Sequence, residues 1–183
     1  MNVYESCPTF ITQRFVLRRT EMADAPGLLN VYGDQQAQAY FNADNCTSDF
    51  RYNTLGAMEE CISMWRWSYA NGWFVRWSIL ERDVPVGTVE MFRRDDGTDG
   101  QGCGVLRIDL RSDREFTDVH DELLEALLPP LHSLVGCRTI LTKAAPFMQQ
   151  RIASLKVHGF RPYARGLTGE DGRTYGDYWA VQA

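Results

Sequence analysis

The sequence lacks a long apolar run and any segment rich in lysine or arginine. No stretch approaches the ~20 consecutive apolar residues that a membrane span needs, and residues 1–12 lack the basic and apolar regions of a signal peptide. The chain carries 24 acidic and 19 basic residues, a net charge of −5. General nucleic-acid binders act mainly by neutralising phosphates. The sequence therefore predicts a protein with neither a membrane nor a nucleic acid as partner.

Metal-binding patterns are also missing. The five cysteines and three histidines are scattered, and no two cysteines form a C-x-x-C pair, so we expect no metal site. An odd number of widely spaced cysteines is typical of reduced thiols in a cytoplasmic protein. We therefore expect a cytoplasmic location.

Length and composition indicate an ordinary globular domain. The chain has 183 residues, of which 44% are hydrophobic and 23% charged, close to average usage. Because domains cluster near 100–150 residues and larger single domains are common, residues 1–183 are predicted to form one domain.

Four helices are predicted from apolar residues spaced three and four positions apart. The clearest helix contains Met58, Cys61, Ile62, Trp65 and Tyr69. We expect Thr20 to cap the first helix. We also expect Pro129 and Pro130 to kink or break the third, since an interior proline costs roughly 3 kcal/mol in a straight helix. The helices cover about residues 25–32, 58–69, 119–135 and 148–155.

Seven strands are predicted around these helices. They cover about residues 15–18, 73–80, 86–92, 105–110, 139–142, 160–163 and 175–181. The alternation of helices and strands favours an α/β (α+β) fold. We expect a single mixed, mostly antiparallel central sheet of about six to seven strands, flanked by helices.

Several fragments together carry a resemblance to a known family. They are Thr12–Arg18 followed by Ala23–Ala25, Trp77–Ile79 followed by Val86–Val89, Gly159-Phe160 closing the last helix, and Asp171–Asp177. In this order, over about residues 9–181, the chain resembles the GNAT superfamily of acyl-CoA N-acyltransferases. It is most similar to the branch that acetylates the N-terminal amines of ribosomal proteins (RimJ/RimL-like enzymes).

This resemblance implies an enzyme that moves an acetyl group from acetyl-CoA (coenzyme A) to a primary amine on a small molecule or a peptide N-terminus. It also implies two diverging central strands, here residues 105–110 and 139–142. The thioester and the pantetheine arm would lie along Ile108, Asp109 and Leu110, where a backbone donor also stabilises the oxyanion. Dimers are common in the family, so a homodimer joined through the C-terminal strands is expected.

The loop that would hold the cofactor's pyrophosphate departs from the family pattern. Residues 111–118 contain no glycine, and Phe116 and Asp118 stand where two glycines are expected. We expect Asp118 to cap the following helix. The residues assigned to the cofactor here are Arg111, Arg114, Phe116 and Thr117, with Lys143 and Arg151 as further cations. The alternative is an ordinary capped helix with surface arginines.

The catalytic residues are less sharply indicated. Glu90 is our candidate general base, with Asp109 as the second choice, because an amine must lose a proton before or during attack. Each could instead be a simple edge or surface carboxylate. Ser154 is the candidate proton donor to the departing thiolate, since Leu155 stands where other branches of the family have a tyrosine. The alternative for Ser154 is a solvated helix serine.

Three functions stay open at this point. The first is an active N-acetyltransferase, and the second is a degenerate, non-catalytic module of the same fold that binds a ligand or a partner. The third is a sensor that binds acyl-CoA without turnover. The aromatic cluster over residues 65–77 either walls an acceptor pocket or belongs to the core.

Overall fold

The fold is built on one eight-stranded sheet. A computed structural model describes residues 2–95 and 102–183. The strands of the sheet lie in the order β1-β2-β3-β4-β5-β6-β10-β7, and β8 and β9 form a separate hairpin. Their bounds are β1 Phe10–Ile11, β2 Phe15–Arg19, β3 Val75–Glu81, β4 Val84–Arg94, β5 Cys103–Leu110, β6 Thr139–Lys143, β7 Arg161–Tyr163, β8 Leu167–Thr168, β9 Thr174–Tyr175 and β10 Tyr178–Gln182.

All neighbouring strands of the sheet are antiparallel except β5 and β6, which are parallel. The mixed, mostly antiparallel sheet is therefore confirmed, with eight strands rather than six to seven. The additional strand is the short β1. Most of the loop between β4 and β5 lies outside the described residues.

Four α-helices flank the sheet, close to their predicted positions. They are α1 Ala25–Tyr32, α2 Leu55–Ala70, α3 Thr117–Val135 and α4 Gln149–Val157. The prediction that Thr20 caps the first helix is wrong, because the N-cap residue of α1 is Asp24. The Thr20 hydroxyl instead accepts a hydrogen bond from Ser78 on β3.

The two faces of the sheet have different cores because strand side chains alternate. Val75, Trp77 and Ile79 of β3 are buried in the cluster that contains the leucines of α3 and Leu155 of α4. The side chains between them, such as Arg76, point to the opposite face, where α1 and α2 pack together. One face of the sheet is thus apolar, and the other carries buried charge.

Helix α3 continues through Pro129 and Pro130, so the predicted break does not occur. Its buried side is a stripe that includes Leu123, Leu127 and Leu131. Burying a leucine side chain is worth about 1.5–3 kcal/mol, so the stripe outweighs the two missing backbone donors. The helix ends at Gly136, whose φ of 63° is the left-handed conformation that glycine adopts without strain.

Candidate functional site

Strand β5 pairs with β6 over only part of its length. β5 pairs with β4 from Cys103 to Leu110, but it pairs with β6 only from Gly104 to Leu106. On its other side, β6 pairs with β10 over all five residues. The ladder between the two parallel strands therefore ends at Leu106, one residue before the end of β6, and β5 continues for four more residues. We call the space beside residues 107–110 of β5, on the side away from β4, the gap.

Within residues 2–95 and 102–183, the part of β5 after Leu106 has a partner strand only on the β4 side. The N–H of Arg111 donates to the carbonyl of Val86 and so points toward β4. Because backbone groups alternate along a strand, those of Ile108 and Leu110 point to the other side, into the gap. An extended ligand can pair with such an edge as a peptide adds to a sheet.

The loop after β5 has a single 3₁₀ turn, Ser112–Arg114. Its two arginines are partly buried and already paired. Arg111 binds Asp113 at 2.6 Å, and Arg114 binds Glu81 at 2.6 Å. Each of these guanidinium groups therefore forms an ion pair with a carboxylate of the same chain.

The N-terminus of α3 is also partly occupied. Its N-cap residue is Phe116, whose side chain is 50% exposed. The side-chain oxygen of Gln150 on α4 accepts from both the N–H and the hydroxyl of Thr117.

The prediction that Asp118 caps α3 is wrong. Phe116 is the N-cap residue, and its side chain makes no capping hydrogen bond. Asp118 instead pairs with Arg14 at 2.7 Å, and this guanidinium holds the pKa of Asp118 below its usual range. Glu122 binds the same arginine at 2.5 Å and joins α3 to the start of β2.

A buried ion cluster lies beneath the loop. The carboxylate of Glu115 binds Arg151 of α4 at 2.9 Å and His120 of α3 at 2.8 Å. Burial acts to raise the pKa of Glu115, but Arg151 and His120 together lower it to about 2. Arg151 also donates to the backbone carbonyl of Tyr40 at 3.3 Å. This cluster ties the loop to both helices.

Lys143 ends β6 on the far side of the gap. Its ammonium binds Asp44 at 2.7 Å, and the hydroxyl of Tyr178 donates to the same carboxylate at 3.1 Å. Every cation that the sequence assigned to the cofactor therefore has an acidic partner in the structure.

Glu90 and Asp109 lie in one buried network on the polar face of the sheet. Arg76 and Arg107 both bind Glu90, the second at 2.9 Å. Burial acts to raise the pKa of Glu90, but these two guanidinium groups outweigh it and hold the pKa below its usual range. The alternative of a surface carboxylate is wrong for both acids, which are buried.

Asp109 is less well neutralised than Glu90. One carboxylate oxygen accepts from the Tyr32 hydroxyl at 3.0 Å and lies 3.5 Å from Arg76. The other oxygen is buried without a hydrogen-bond partner. Burial raises the pKa of Asp109, and the charge of Arg76 only partly opposes it. Gly87 on β4 allows the backbone of β5 to approach closely at this point, because a Cβ atom at position 87 would lie only 2.4 Å from the backbone carbonyl oxygen of Asp109.

Ser154 is buried in α4, so the alternative of a solvated serine is wrong. Its hydroxyl donates to Asp121 of α3 at 2.5 Å. In this arrangement the serine joins two helices, and its proton is directed to a carboxylate.

The sequence pattern did not identify Tyr32, Arg76, Arg107 and Glu115 as residues of the site. A signal for two of them was present, because Arg76 and Arg107 each interrupt a run of apolar strand residues. A charge within such a run indicates a buried ion pair. Nothing in the pattern pointed to Tyr32, whose hydroxyl contacts Thr88, Asp109 and Arg76.

Two general properties of the described residues bear on the site. Within residues 2–95 and 102–183, no group of three or more His, Cys, Asp or Glu is arranged to hold a metal ion. In the same part of the chain, no helix has the length and apolar character required to cross a bilayer.

Comparison with solved structures identifies the architecture. A GNAT-family acetyltransferase from Bacillus anthracis is similar over 96% of this chain and 98% of its own, with a TM-score of 0.67 and 12% identity. The chain has the GNAT fold. RimJ from Mycobacterium smegmatis, in complex with a CoA-disulfide, is similar over 96% of this chain and 88% of its own, with a TM-score of 0.74 and 16% identity.

A third structure with the GNAT fold is AAC(6')-Ib in complex with ribostamycin and coenzyme A. It is similar over 93% of this chain and 94% of its own, with a TM-score of 0.68 and 16% identity. No family model matches the sequence, and no curated protein matches it. At these identities the likeness establishes the GNAT fold, and activity must be argued from the site itself.

Proposed function

We propose that this chain is an acetyl-CoA-dependent N-acetyltransferase that acts on a primary amine. The observation that carries the proposal is the gap beside β5, where the strand keeps its pairing with β4 but loses its pairing with β6 after Leu106. Solved proteins of this fold include complexes with coenzyme A and a CoA-disulfide.

The residues of the gap fit an extended cofactor arm. The backbone groups of Ile108 and Leu110 would pair with it, and an N–H there would stabilise charge that develops on a carbonyl oxygen. When bound, acetyl-CoA supplies an acyl group activated as a thioester. Arg114 and Arg111 lie in the loop that follows the strand. A phosphate would have to displace Glu81, which is 24% exposed, from Arg114, or Asp113, which is 53% exposed, from Arg111.

Asp109 is the better candidate for the base. A base must be able to accept a proton near the working pH, and the two arginines that bind Glu90 stabilise its charged form and oppose protonation. Asp109 has a raised pKa and a carboxylate oxygen with no partner. It also lies on β5 beyond the last residue paired with β6.

The acceptor we propose is a primary amine of a small molecule or a peptide N-terminus. Two lines of support exist. The structures of similar fold include RimJ and AAC(6')-Ib, and the net charge of −5 favours a cationic acceptor.

One observation favours the alternative of a non-catalytic module. The cations near the gap all have acidic partners, and the N–H of Thr117 is bonded to Gln150. A phosphate must compete with these contacts. If it cannot, the chain retains the fold and binds a different ligand or a partner.

Calorimetry with acetyl-CoA distinguishes these functions. We expect micromolar binding, because the β5 edge is open and several cations surround the loop. Arg114→Ala should weaken binding by about tenfold, since a charged hydrogen bond contributes about 1.5–3 kcal/mol. Arg165→Ala removes an exposed arginine outside the site and should leave binding unchanged.

Acetylated pantetheine, which lacks the pyrophosphate, tests the β5 edge without the loop. Acetyl-CoA should bind more tightly than acetylated pantetheine if the loop holds phosphate. Absence of heat and of a thermal shift at millimolar acetyl-CoA would contradict the proposal and leave the non-catalytic module. Binding without thiol release across a panel of primary amines would indicate the acyl-CoA sensor.

A further inference from the structure

A second cavity lies on the polar face of the sheet, away from the gap. Its volume is about 390 Å³, and its walls come from the end of β2, the start of β3 and the last turns of α2. Strands β3 and β4 separate β2 from β5 in the sheet. This cavity, which we call the α2 pocket, is therefore distinct from the cleft between β5 and β6.

The α2 pocket has a cationic lining. Arg19, Arg66 and Arg76 line it, and no lining residue is acidic. Arg76 shares Glu90 with Arg107, so its charge is largely compensated. Arg19 and Arg66 are exposed and form no ion pair with any residue in the ranges 2–95 and 102–183. In a chain of net charge −5, two unpaired guanidinium groups at one cavity mark it as a site for an anion.

Aromatic rings form the apolar part of the same lining. Trp65 lies under the Arg76 guanidinium at 4.1 Å, and Arg19 lies over the ring of Tyr69 at 5.0 Å. Trp67 is 54% exposed and packs edge-on against Trp73 at 4.7 Å. Trp65 is 3% exposed and Trp73 lies outside the lining, so Trp67 is the tryptophan of the pocket whose face a flat ring can reach.

The buried side of the pocket contains an unsatisfied donor. Arg76 is 3% exposed, and its Nε has no hydrogen-bond partner. Its other two nitrogens bind Glu90, Tyr32 and Thr88. A buried donor without a partner costs about 1–3 kcal/mol, so a hydrogen-bond acceptor within reach of this Nε would relieve that cost.

We propose that the α2 pocket binds a small aromatic anion, with the ring against Trp67 and the acidic group between Arg19 and Arg66. Planar guanidinium groups pair with carboxylate or phosphate through two parallel hydrogen bonds. The volume lies at the lower end of the range of small-molecule sites, which suits a ligand of one or two rings. The proposal does not rest on acetyl transfer, because none of its residues lies at the β5–β6 gap.

Calorimetry with 2-naphthoate tests the proposal, with 2-naphthamide as the neutral analogue and 2-naphthyl phosphate as the second anion. We expect saturable one-to-one binding of 2-naphthoate and about tenfold or more weaker binding of the amide. The ratio between the two anions identifies whether carboxylate or phosphate is the preferred acid. No acetyl-CoA is present, so the result is independent of the proposed transferase activity.

Two variants locate the ligand. Arg66→Glu reverses one exposed charge on α2, and Arg19→Gln removes the other. Each should weaken 2-naphthoate about tenfold or more, whereas Arg165→Glu, an exposed arginine elsewhere, should not. Equal affinity for acid and amide, no effect of either variant, or no binding at millimolar 2-naphthoate would overturn the proposal. A thermal melt of each variant confirms that it is folded.

Discussion

Replacing Glu115 with glutamine should lower the free energy of unfolding by about 3 kcal/mol near neutral pH. The carboxylate binds Arg151 and His120 in the interior, and removing one partner of a buried ion pair typically costs about 3–5 kcal/mol because the other charge stays buried. Its pKa of about 2, against 4.5 in an unfolded chain, corresponds to a similar stabilisation of about 3 kcal/mol. Urea titration followed by tryptophan fluorescence measures the change.

Glu115 also determines how the free energy of unfolding falls at acidic pH. Because the pKa of Glu115 is lowered on folding, its contribution is complete above about pH 4.5 and disappears as the pH falls toward about 2. Burial also lowers the pKa of His120 below its ordinary 6.5, so protonation of this histidine in the unfolded chain begins to destabilise the fold just below that pH. Both effects lower the free energy of unfolding as the pH falls. In Glu115→Gln, the free energy of unfolding should therefore depend less on pH below about 4.5.

Asp113 provides the matched control. It belongs to the same loop, its side chain is about half exposed, and it pairs with Arg111 and Arg114. Surface ion pairs contribute only about 0–1 kcal/mol, so Asp113→Asn should change the midpoint of the urea titration little. The double variant Glu115→Gln, Arg151→Gln should be less destabilised than the sum of the single variants. Equal effects at Glu115 and Asp113 would contradict the cluster's structural role.

Periodicity located the four helices and seven of the strands because burial of an apolar face dominates the choice of local structure. Of the kink or break expected at Pro129 and Pro130, the break does not occur, for the same reason. The proline penalty is local, but the leucine stripe on α3 packs against the sheet, and its burial depends on elements distant in sequence. Propensity is therefore a weak guide wherever tertiary packing is this extensive.

The site was less accessible to sequence reasoning than the fold. The loop after β5 was correctly located, but nothing local indicates which acid each arginine binds. The arginine that binds Glu115 lies 36 residues after it in the sequence, and the arginine that binds Asp118 lies 104 residues before it. Such pairs are set by topology, so the sequence could identify a crowded group of charges without saying how they are matched.

The two acids of the polar network differ because of their neighbours. Glu90 and Asp109 lie on adjacent strands, and both are buried. Two guanidinium groups contact Glu90, whereas one lies 3.5 Å from Asp109. Neighbouring carboxylates whose environments push their pKa values apart are a recurrent arrangement at catalytic sites, and this asymmetry is the basis for proposing Asp109 rather than Glu90 as the base.

Replacing Asp109 with asparagine should lower kcat/KM about 10²-fold or more with the best amine of the panel, since a positioned base typically contributes 10²–10⁴-fold. In the unmodified protein, activity should rise with pH as Asp109 loses its proton, and this limb should lie above the ordinary range of an aspartate because burial raises its pKa. The limb should disappear in Asp109→Asn. Thiol release from acetyl-CoA measures both.

Tyr32→Phe is the control that separates positioning from proton transfer. It removes the hydroxyl that donates to Asp109 but leaves the carboxylate, so the pH limb should persist, shifted upward, because the charged form loses a hydrogen bond. Calorimetry should show that Asp109→Asn still binds acetyl-CoA, since the groups of the β5 edge belong to the backbone. If Asp109→Asn retains the unmodified rate and the same acid limb, the base lies elsewhere, and Glu90→Gln becomes the variant that must abolish turnover.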